Sequence, residues 1–307
     1  MVGGKSLGER VFLVSTAFIM IIIMIVTVYP FWFSLISSLN SGDDLLRGPL
    51  LYLPRVFTFA SWKMVLTDDG MLMAAWITAS RTVIVTIVST VYTAMFAYAF
   101  SRSYLRAKIL YVIIGFTSMY LSGGLIPSFM LMDWLGIYDT YWVYIIPSIF
   151  GGFWNVIIFN ANFKALPESL FESAKMDGAS EFRILFQIVM PLSKPVLAAL
   201  SVFTAVGIWN DYATTLYFTK SANLETLQYV ILRLIQSNRA AENLMSMNGN
   251  VSFGVSDLLT KTEGKGLSTA HTIELAAMII SSLPMIMMYP FAQRFFVKGV
   301  MLGSVKG

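Results

Sequence analysis

Six mainly apolar runs, each free of charges or interrupted by a single one, follow one another along the chain. A helix that crosses a bilayer needs about 20 predominantly apolar residues, and each run is long enough. The pattern therefore predicts an all-α, polytopic membrane protein. The six predicted transmembrane helices cover about residues 11–36, 74–100, 109–132, 140–163, 195–219 and 273–293.

The composition supports a membrane protein and excludes several functions. Hydrophobic residues make up 57% of the chain and charged residues only 12%, which is too few charges to cover a water-soluble domain. The absence of cysteine rules out thiol catalysis and cysteine-ligated metals, and the lone His271 rules out a histidine-rich site. A formal net charge of +4 suits basic cytoplasmic loops better than nucleic-acid binding.

The basic residues indicate which way the helices point. Segment 101–108 holds Arg102, Arg106 and Lys108 and no acidic residue, and short loops rich in lysine and arginine stay in the cytoplasm. Both termini are then cytoplasmic, and residues 1–307 form one transmembrane domain. The predicted loops are a cytoplasmic one at 164–194 and outer ones at 40–73 and 220–272, the last with an amphipathic stretch at 224–234 and an irregular polar part at 246–254.

The cytoplasmic loop carries a pattern of its own. Pro167 suits the first turn of a short helix, Asp177-Gly178 suits a turn, and a second apolar piece then leads to Pro191. The short helix has an apolar ridge, formed by Leu170, Phe171, Ala174 and Met176. We expect the ridge to be exposed and covered by a partner, because an exposed apolar surface marks an interaction site. An amphipathic loop lying on the lipid surface is the alternative.

The same loop matches a known signature at fixed spacing. The series Glu172-Ser173-Ala174, Gly178 and Ile188-x-Met190-Pro191 resembles the EAA–G–I-LP loop of ABC importer permeases, with serine for one alanine and methionine for leucine. Trp209-Asn210-Asp211 and two C-terminal segments, 296–300 and 303–307, resemble the sugar-importer branch that includes the maltose permease. Within that branch the chain looks most like permeases of polysaccharide-type importers of Gram-positive bacteria.

This resemblance implies a fold, a mechanism and partners. The fold would be that of a type I ABC importer permease, whose cytoplasmic coupling helix docks into a cleft of an ATPase. The partners would be a second homologous permease, two ATPase subunits and an extracytoplasmic sugar-binding protein, in a bacterial cell membrane. The residues that the resemblance assigns to ATPase coupling are Phe171, Glu172, Ser173, Ala174, Asp177, Gly178, Ile188 and Pro191.

No nucleotide-binding motif accompanies these residues. The pattern G-x-x-x-x-G-K-[ST] does not occur, so we expect no cofactor in this chain, and ATP and Mg in the ATPase subunits. The chain would be a non-catalytic subunit that translocates an oligosaccharide. One alternative is an ion-coupled secondary transporter, which predicts broken helices and ionisable residues near the bilayer centre. The other is a membrane enzyme, for which the sequence offers no catalytic cluster.

Arg81 and Asp211 lie at membrane depth, and Glu274 begins the sixth span in the same layer; ionisable groups there are functional candidates. Arg81 lies roughly 10 Å into the second span at 1.5 Å per residue, and Asp211 lies at a similar depth in the fifth. We predict that they pair near an outer gate; the alternative is that each reaches separately to the interface. Trp209 and Asn210 either line a sugar cavity or pack between helices. If the charges pair, exchanging them should restore the transport that either single variant loses.

Aromatic residues crowd the predicted outer junction of the third and fourth spans. They are Trp134, Tyr138, Tyr141, Trp142 and Tyr144. Tryptophan and tyrosine are enriched where helices meet lipid headgroups, so we expect these side chains to contact membrane lipid rather than a ligand.

Overall fold

The computed structural model describes residues 7–45, 47–48, 50, 52–121, 123–150, 152–247 and 268–303. Within these residues the backbone is helical almost throughout, and a single antiparallel bridge joins Asn40 and Phe57. The prediction of an all-α fold is confirmed. The α-helices are α1 (Leu7–Ser38), α2 (Gly42–Leu45), α3 (Ala60–Thr67), α4 (Asp69–Ser101), α5 (Lys108–Tyr120), α6 (Leu125–Trp134), α7 (Trp142–Ile149), α8 (Phe153–Lys164), α9 (Glu168–Met176), α10 (Glu181–Ile184), α11 (Met190–Leu192), α12 (Lys194–Asn210), α13 (Ala213–Phe218), α14 (Leu227–Met247) and α15 (Ala270–Gly303).

Long apolar helices account for the predicted spans. Three segments are each long and apolar enough to cross a bilayer: Val11–Ser38, Asp69–Ser101 and Ala270–Pro290. Three more candidates arise when neighbouring helices count as one bent span: α5 with α6, α7 with α8, and the segment Glu181–Leu192 with α12. The described residues therefore offer up to six candidate spans. The fifth of them begins at Glu181, before the predicted run 195–219, so the bounds of the predicted spans stay predictions.

The second span, α4, lies at the centre of a compact unit that comprises residues 69–232 and 283–307. It packs against α7, α8 and α12. Its small residues Ala94 and Ala97 are fully buried in a core that α8 and α12 complete, as is common where membrane helices approach closely. The core residues from these two helices are Val156, Phe159, Phe163, Leu197 and Leu200.

The described residues of 1–68 and 233–282 form a second compact unit. Within this unit, Arg55 Nε donates to Asp44 Oδ2 at 2.8 Å, and Ser61 Oγ donates to Thr272 Oγ1 at 2.9 Å. In α1 no apolar side chain between residues 11 and 32 is buried, as expected for a helix that contacts lipid. The organisation of the chain as one domain stays a prediction.

Some predicted segments differ in extent or lie outside the described residues. The amphipathic stretch predicted at 224–234 is the beginning of the 21-residue helix α14. The polar part at 246–254 and the C-terminal match at 303–307 lie almost wholly outside the described residues. The predicted fifth span is not continuous, because α12 ends at Asn210 and α13 begins at Ala213.

Candidate functional site

The predicted coupling helix is α9, and its apolar side chains point in two directions. Phe171 and Ala174 are buried in a core that also holds residues of α4, α8, α10, the segment 185–189 and α12. The prediction of a fully exposed ridge is therefore wrong for these two residues, because apolar side chains of the chain itself cover them. Leu170 and Met176 are exposed as predicted, and 87% of the surface of Met176 is accessible to solvent.

The other face of α9 is polar and open. Exposed positions on it and just after it are Glu172, Ser173, Asp177 and Gly178. These four belong to the residues that the resemblance assigns to coupling, and a partner can contact them directly. Phe171 and Ala174, by contrast, can act only by holding the helix in place. Their role in docking stays a prediction.

Gly178 ends α9 in a left-handed conformation with φ of +73°. The Ala179 N–H donates to the Ala174 carbonyl at 2.9 Å, and the Gly178 N–H donates to the Lys175 carbonyl at 3.0 Å. This pair of bonds is the Schellman motif, which satisfies the last carbonyls of a helix and favours glycine. A Cβ on Gly178 would meet no atom within 4 Å, so the backbone conformation, not crowding within the chain, favours glycine here.

Ile188 and Pro191 lie where the loop turns into the fifth span. Pro191 has no N–H and cannot donate to the carbonyl of Gln187, and the residues just before it form a π-helical turn, Leu185–Val189. The segment Glu181–Leu192 meets α12 at an angle of 85°. Ile188 packs against the core, whereas Pro191 is exposed.

Charged and aromatic side chains join α9 to the end of α4. Lys175 Nζ lies 3.0 Å from Glu181 Oε1 and 4.6 Å from the centroid of the Tyr104 ring. From α4, Tyr98 donates its hydroxyl to Glu181 Oε2 at 2.5 Å. The hydrogen bond to Glu181 raises the pKa of Lys175, so the lysine stays charged and the junction persists at neutral pH.

The two charged residues at membrane depth form an ion pair, as predicted. Arg81 of α4 is buried with 1% of its side chain exposed, and its Nη1 lies 3.3 Å from Asp211 Oδ2. Its Nη2 donates to the carbonyl of Ile208 at 2.9 Å and also to the carbonyl of Asp211. Its guanidinium carbon lies 4.8 Å from the centroid of the Tyr144 ring. The role of this pair at a gate stays a prediction.

This pair stabilises the break in the fifth span from both sides. Arg81 places a cation at the C-terminal end of α12, and Asp211 Oδ1 accepts the N–H groups of Ala213 and Thr214 at the start of α13, at 3.0 and 3.2 Å. Both placements complement the partial charges of helix ends. Inside a membrane, irregular backbone persists only where protein buries it or where it lines a cavity, so the break is a candidate for the translocation path.

A buried chain of hydroxyls continues from this break to α14. Tyr144 donates to the Leu224 carbonyl at 2.6 Å and lies 3.0 Å from Thr215 Oγ1, which lies 2.8 Å from Thr226 Oγ1. Thr78 Oγ1 of α4 accepts the Leu227 N–H at 2.8 Å. The first turn of α14 is thus held by the second span.

Two other expectations concern residues around the break. Trp209 is buried, which in this conformation favours packing between helices, one of its two predicted roles; the exposed Asn210 stays a candidate for the sugar path. Tyr144 is buried at the ion pair, so its placement in a lipid belt is wrong, although Trp134 and Trp142 are exposed as a belt requires. Sequence patterns offered no sign of this role for Tyr144, because its distance from Arg81 is set by the packing of α7 on α4.

Asp139 accepts hydrogen bonds from the residues that follow α13. Its Oδ1 accepts the N–H groups of Lys220 and Ser221, both at 2.8 Å, and its Oδ2 accepts the Ser221 hydroxyl at 2.7 Å. The hydrogen bond from the Lys220 N–H is the main reason that the pKa of Asp139 lies below its ordinary value. Asp139 also has a φ of +54°, a conformation that asparagine adopts as readily.

The Asp139→Asn variant is therefore expected to be less stable than the wild type at neutral pH and equally stable in acid. A carboxylate whose folded pKa is lowered adds stability above its unfolded pKa and loses it as the pH falls through the folded value. The melting temperatures of the wild type and of Asp139→Asn, measured at a series of pH values, should converge as the pH falls. Asp133→Asn, at an exposed residue of α6, is the control and should show no such convergence; a gap that is constant across pH would contradict the role of the carboxylate.

The fold and the loop together define a class: a membrane permease that is one component of a transport system. The chain belongs to the family of binding-protein-dependent transport system inner membrane components, whose model matches residues 70–301.

Similar proteins agree with this class over almost the whole chain. Protein LplC of Bacillus subtilis (strain 168) is 33% identical over 92% of this chain and 90% of its own length. The polygalacturonan/rhamnogalacturonan transport system permease protein YtcP of the same organism is 30% identical over 92% of this chain and 94% of its own. A bacterial ABC transporter involved in the import of the acidic polysaccharide alginate has a chain of known structure with a TM-score of 0.81 and 26% identity, covering 95% of this chain and 99% of that one.

Proposed function

We propose that this chain is one of two permease subunits of an ATP-driven importer and that it translocates an oligosaccharide delivered by an extracytoplasmic binding protein. The observation that carries this proposal is the open polar face of α9. This short helix is stopped by a Schellman turn at Gly178, and Phe171 holds it in a core shared with α4, α8 and α12. It is therefore suited to pass a movement of another subunit to the membrane.

The names of similar proteins support the substrate class. YtcP serves polygalacturonan and rhamnogalacturonan transport, and the solved structure belongs to an importer of the polysaccharide alginate. We therefore propose a polysaccharide-derived oligosaccharide as the substrate of this chain. Its path would pass the break between α12 and α13, where Asn210 and Asp211 offer polar groups.

We further propose the topology and the partners that such an importer needs. The basic segment 101–108 supports a cytoplasmic location of α9 and of both termini in a bacterium. Two ATPase subunits would then dock on α9 and on its counterpart in the second permease. ATP and Mg would bind in those ATPase subunits. The outer loops 40–73 and 220–272 would receive the sugar-binding protein.

Gentle extraction of the tagged chain from its native membrane tests this proposal. We expect mass spectrometry to identify a P-loop ATPase and a second six-span permease in the purified complex. Glu172→Arg reverses a charge on the exposed face of α9 and should lose the ATPase while it retains the second permease. Asp133→Arg changes an equally exposed acid of α6 and should retain both. Recovery of the chain alone, transporting without ATP, would overturn the proposal.

One feature of the fifth span is also typical of ion-coupled secondary transporters, namely a broken helix with ionisable residues at the break. Here, however, Arg81 and Asp211 neutralise each other at 3.3 Å, which leaves no net charge at the break for a coupling ion. Uptake that an ionophore abolishes while ATP is present would favour the secondary transporter.

A further inference from the structure

An arginine lies buried at the cytoplasmic end of the second span, directly after α4. Arg102 keeps only 6% of its surface exposed. Its Nε donates to Ser101 Oγ at 3.0 Å, and none of the ion pairs among the described residues includes it. A buried cation without a carboxylate needs another source of stabilisation, since loss of hydration is costly.

Two aromatic rings supply that stabilisation, and they belong to different elements. The guanidinium carbon of Arg102 lies 3.8 Å from the ring centroid of Phe171 in α9 and 5.1 Å from that of Tyr98 in α4. A planar guanidinium stacks on aromatic faces, and desolvation strengthens the contact. Arg102 therefore joins the predicted coupling helix to the second span.

The same junction has a second connection on its exposed side. Glu181 accepts the Tyr98 hydroxyl and pairs with Lys175 of α9. Because Tyr98 takes part in both connections, a displacement of α9 cannot leave the end of α4 in place without breaking contacts with Arg102 and Glu181.

The second span is suited to carry such a displacement. α4 is a continuous helix of 33 residues without proline. Arg81 lies on it, about 30 Å from Arg102 at 1.5 Å per residue, and holds the break between α12 and α13. One rigid helix thus connects α9 to the ion pair at membrane depth.

We propose that Arg102 is a positioning residue: it fastens α9 to the second span, so that movement of α9 driven by the ATPase reaches the Arg81–Asp211 pair through α4. This inference rests on the proposed function, because it needs an ATPase that moves α9. The residue touches neither substrate nor nucleotide, and its contribution is mechanical.

A thiol reporter at the break can detect this transmission. The chain has no cysteine, so Tyr212→Cys, at an exposed position beside Asp211, supplies a unique thiol. In the intact complex, its labelling rate by a membrane-impermeant maleimide is expected to change when ATP is added. Arg102→Ala should abolish that change while the ATPase still co-purifies and hydrolyses ATP. Arg106→Ala, at an exposed arginine of the same segment, is the matched control and should retain it.

Phe171→Leu keeps an apolar side chain in the core but removes the ring, so it tests the stacking if Arg102→Ala does not assemble. Loss of the ATP-dependent change in Phe171→Leu, with the complex intact, supports the proposal. Normal coupling in either assembled variant overturns it. If the Tyr212→Cys protein with no other change shows no response to ATP and no ATPase co-purifies, the proposed function itself fails and the inference fails with it.

Discussion

Replacing Arg81 by methionine is expected to abolish transport and to destabilise the protein by about 3–5 kcal/mol, the usual cost of removing one partner of a buried ion pair. The loss should fall at the lower end of that range, since the Asp211 side chain is 27% exposed and water can partly replace the cation. Methionine fills a similar volume, so the effect reports the lost charge and the lost donors to the carbonyls of Ile208 and Asp211.

Uptake by reconstituted vesicles and the melting temperature of the detergent-solubilised complex measure the two effects. Asp211→Asn is the informative comparison, because its side-chain oxygen still accepts the N–H groups of Ala213 and Thr214. It should lose less stability than Arg81→Met. Equal stability of wild type and Arg81→Met would show that the ion pair does not hold the break.

Exchange of the two charges is now expected to fail, contrary to the expectation from the sequence. Aspartate at position 81 cannot donate to the carbonyls at the end of α12, and arginine at position 211 cannot accept the N–H groups that begin α13. Each residue therefore performs a task that depends on its position as well as on its charge. The double variant should transport no better than Arg81→Met, and a full rescue would mean that the backbone contacts are unimportant.

The spans could be predicted from the sequence because the bilayer imposes one simple requirement, a long apolar run, on each of them. The break at Asp211 and Tyr212 could not be predicted in this way, since an isolated charge in an apolar run fits a continuous helix equally well. It exists because a residue from another helix, Arg81, satisfies the carbonyls that the break exposes.

The candidate coupling site was predicted in position but only partly in orientation. Spacing identified Gly178 and the turn, because a helix end in the left-handed conformation favours glycine whatever surrounds it. The direction of Phe171 depended on tertiary packing, since residues of α4, α8 and α12 and of the segment 184–189 share the core in which it is buried. An apolar ridge on a short helix therefore does not show whether a partner or the chain itself covers it.

Replacing Gly178 by valine is expected to uncouple ATP hydrolysis from transport. The left-handed region costs a residue with a Cβ about 1–2 kcal/mol, and a β-branched side chain is disfavoured further. The strain favours a different turn, in which the hydrogen bonds from Ala179 and Gly178 to the end of α9 are lost. The exposed polar face of α9 would then meet the ATPase at a wrong angle. The number of substrate molecules imported per ATP hydrolysed should fall, while the permease pair still assembles and its melting temperature falls by only a few degrees.

Gly178→Asn separates the backbone from the side chain. Asparagine is similar in size to valine but tolerates a positive φ, and the space beside Gly178 is open within the chain, because no atom lies within 4 Å of the position that a Cβ would take. If the turn alone matters, the asparagine variant should couple almost as well as wild type. If asparagine is as harmful as valine, the open space beside Gly178 is needed by the docked ATPase, and the argument from backbone strain is wrong. Normal coupling in both variants would remove Gly178 from the coupling site.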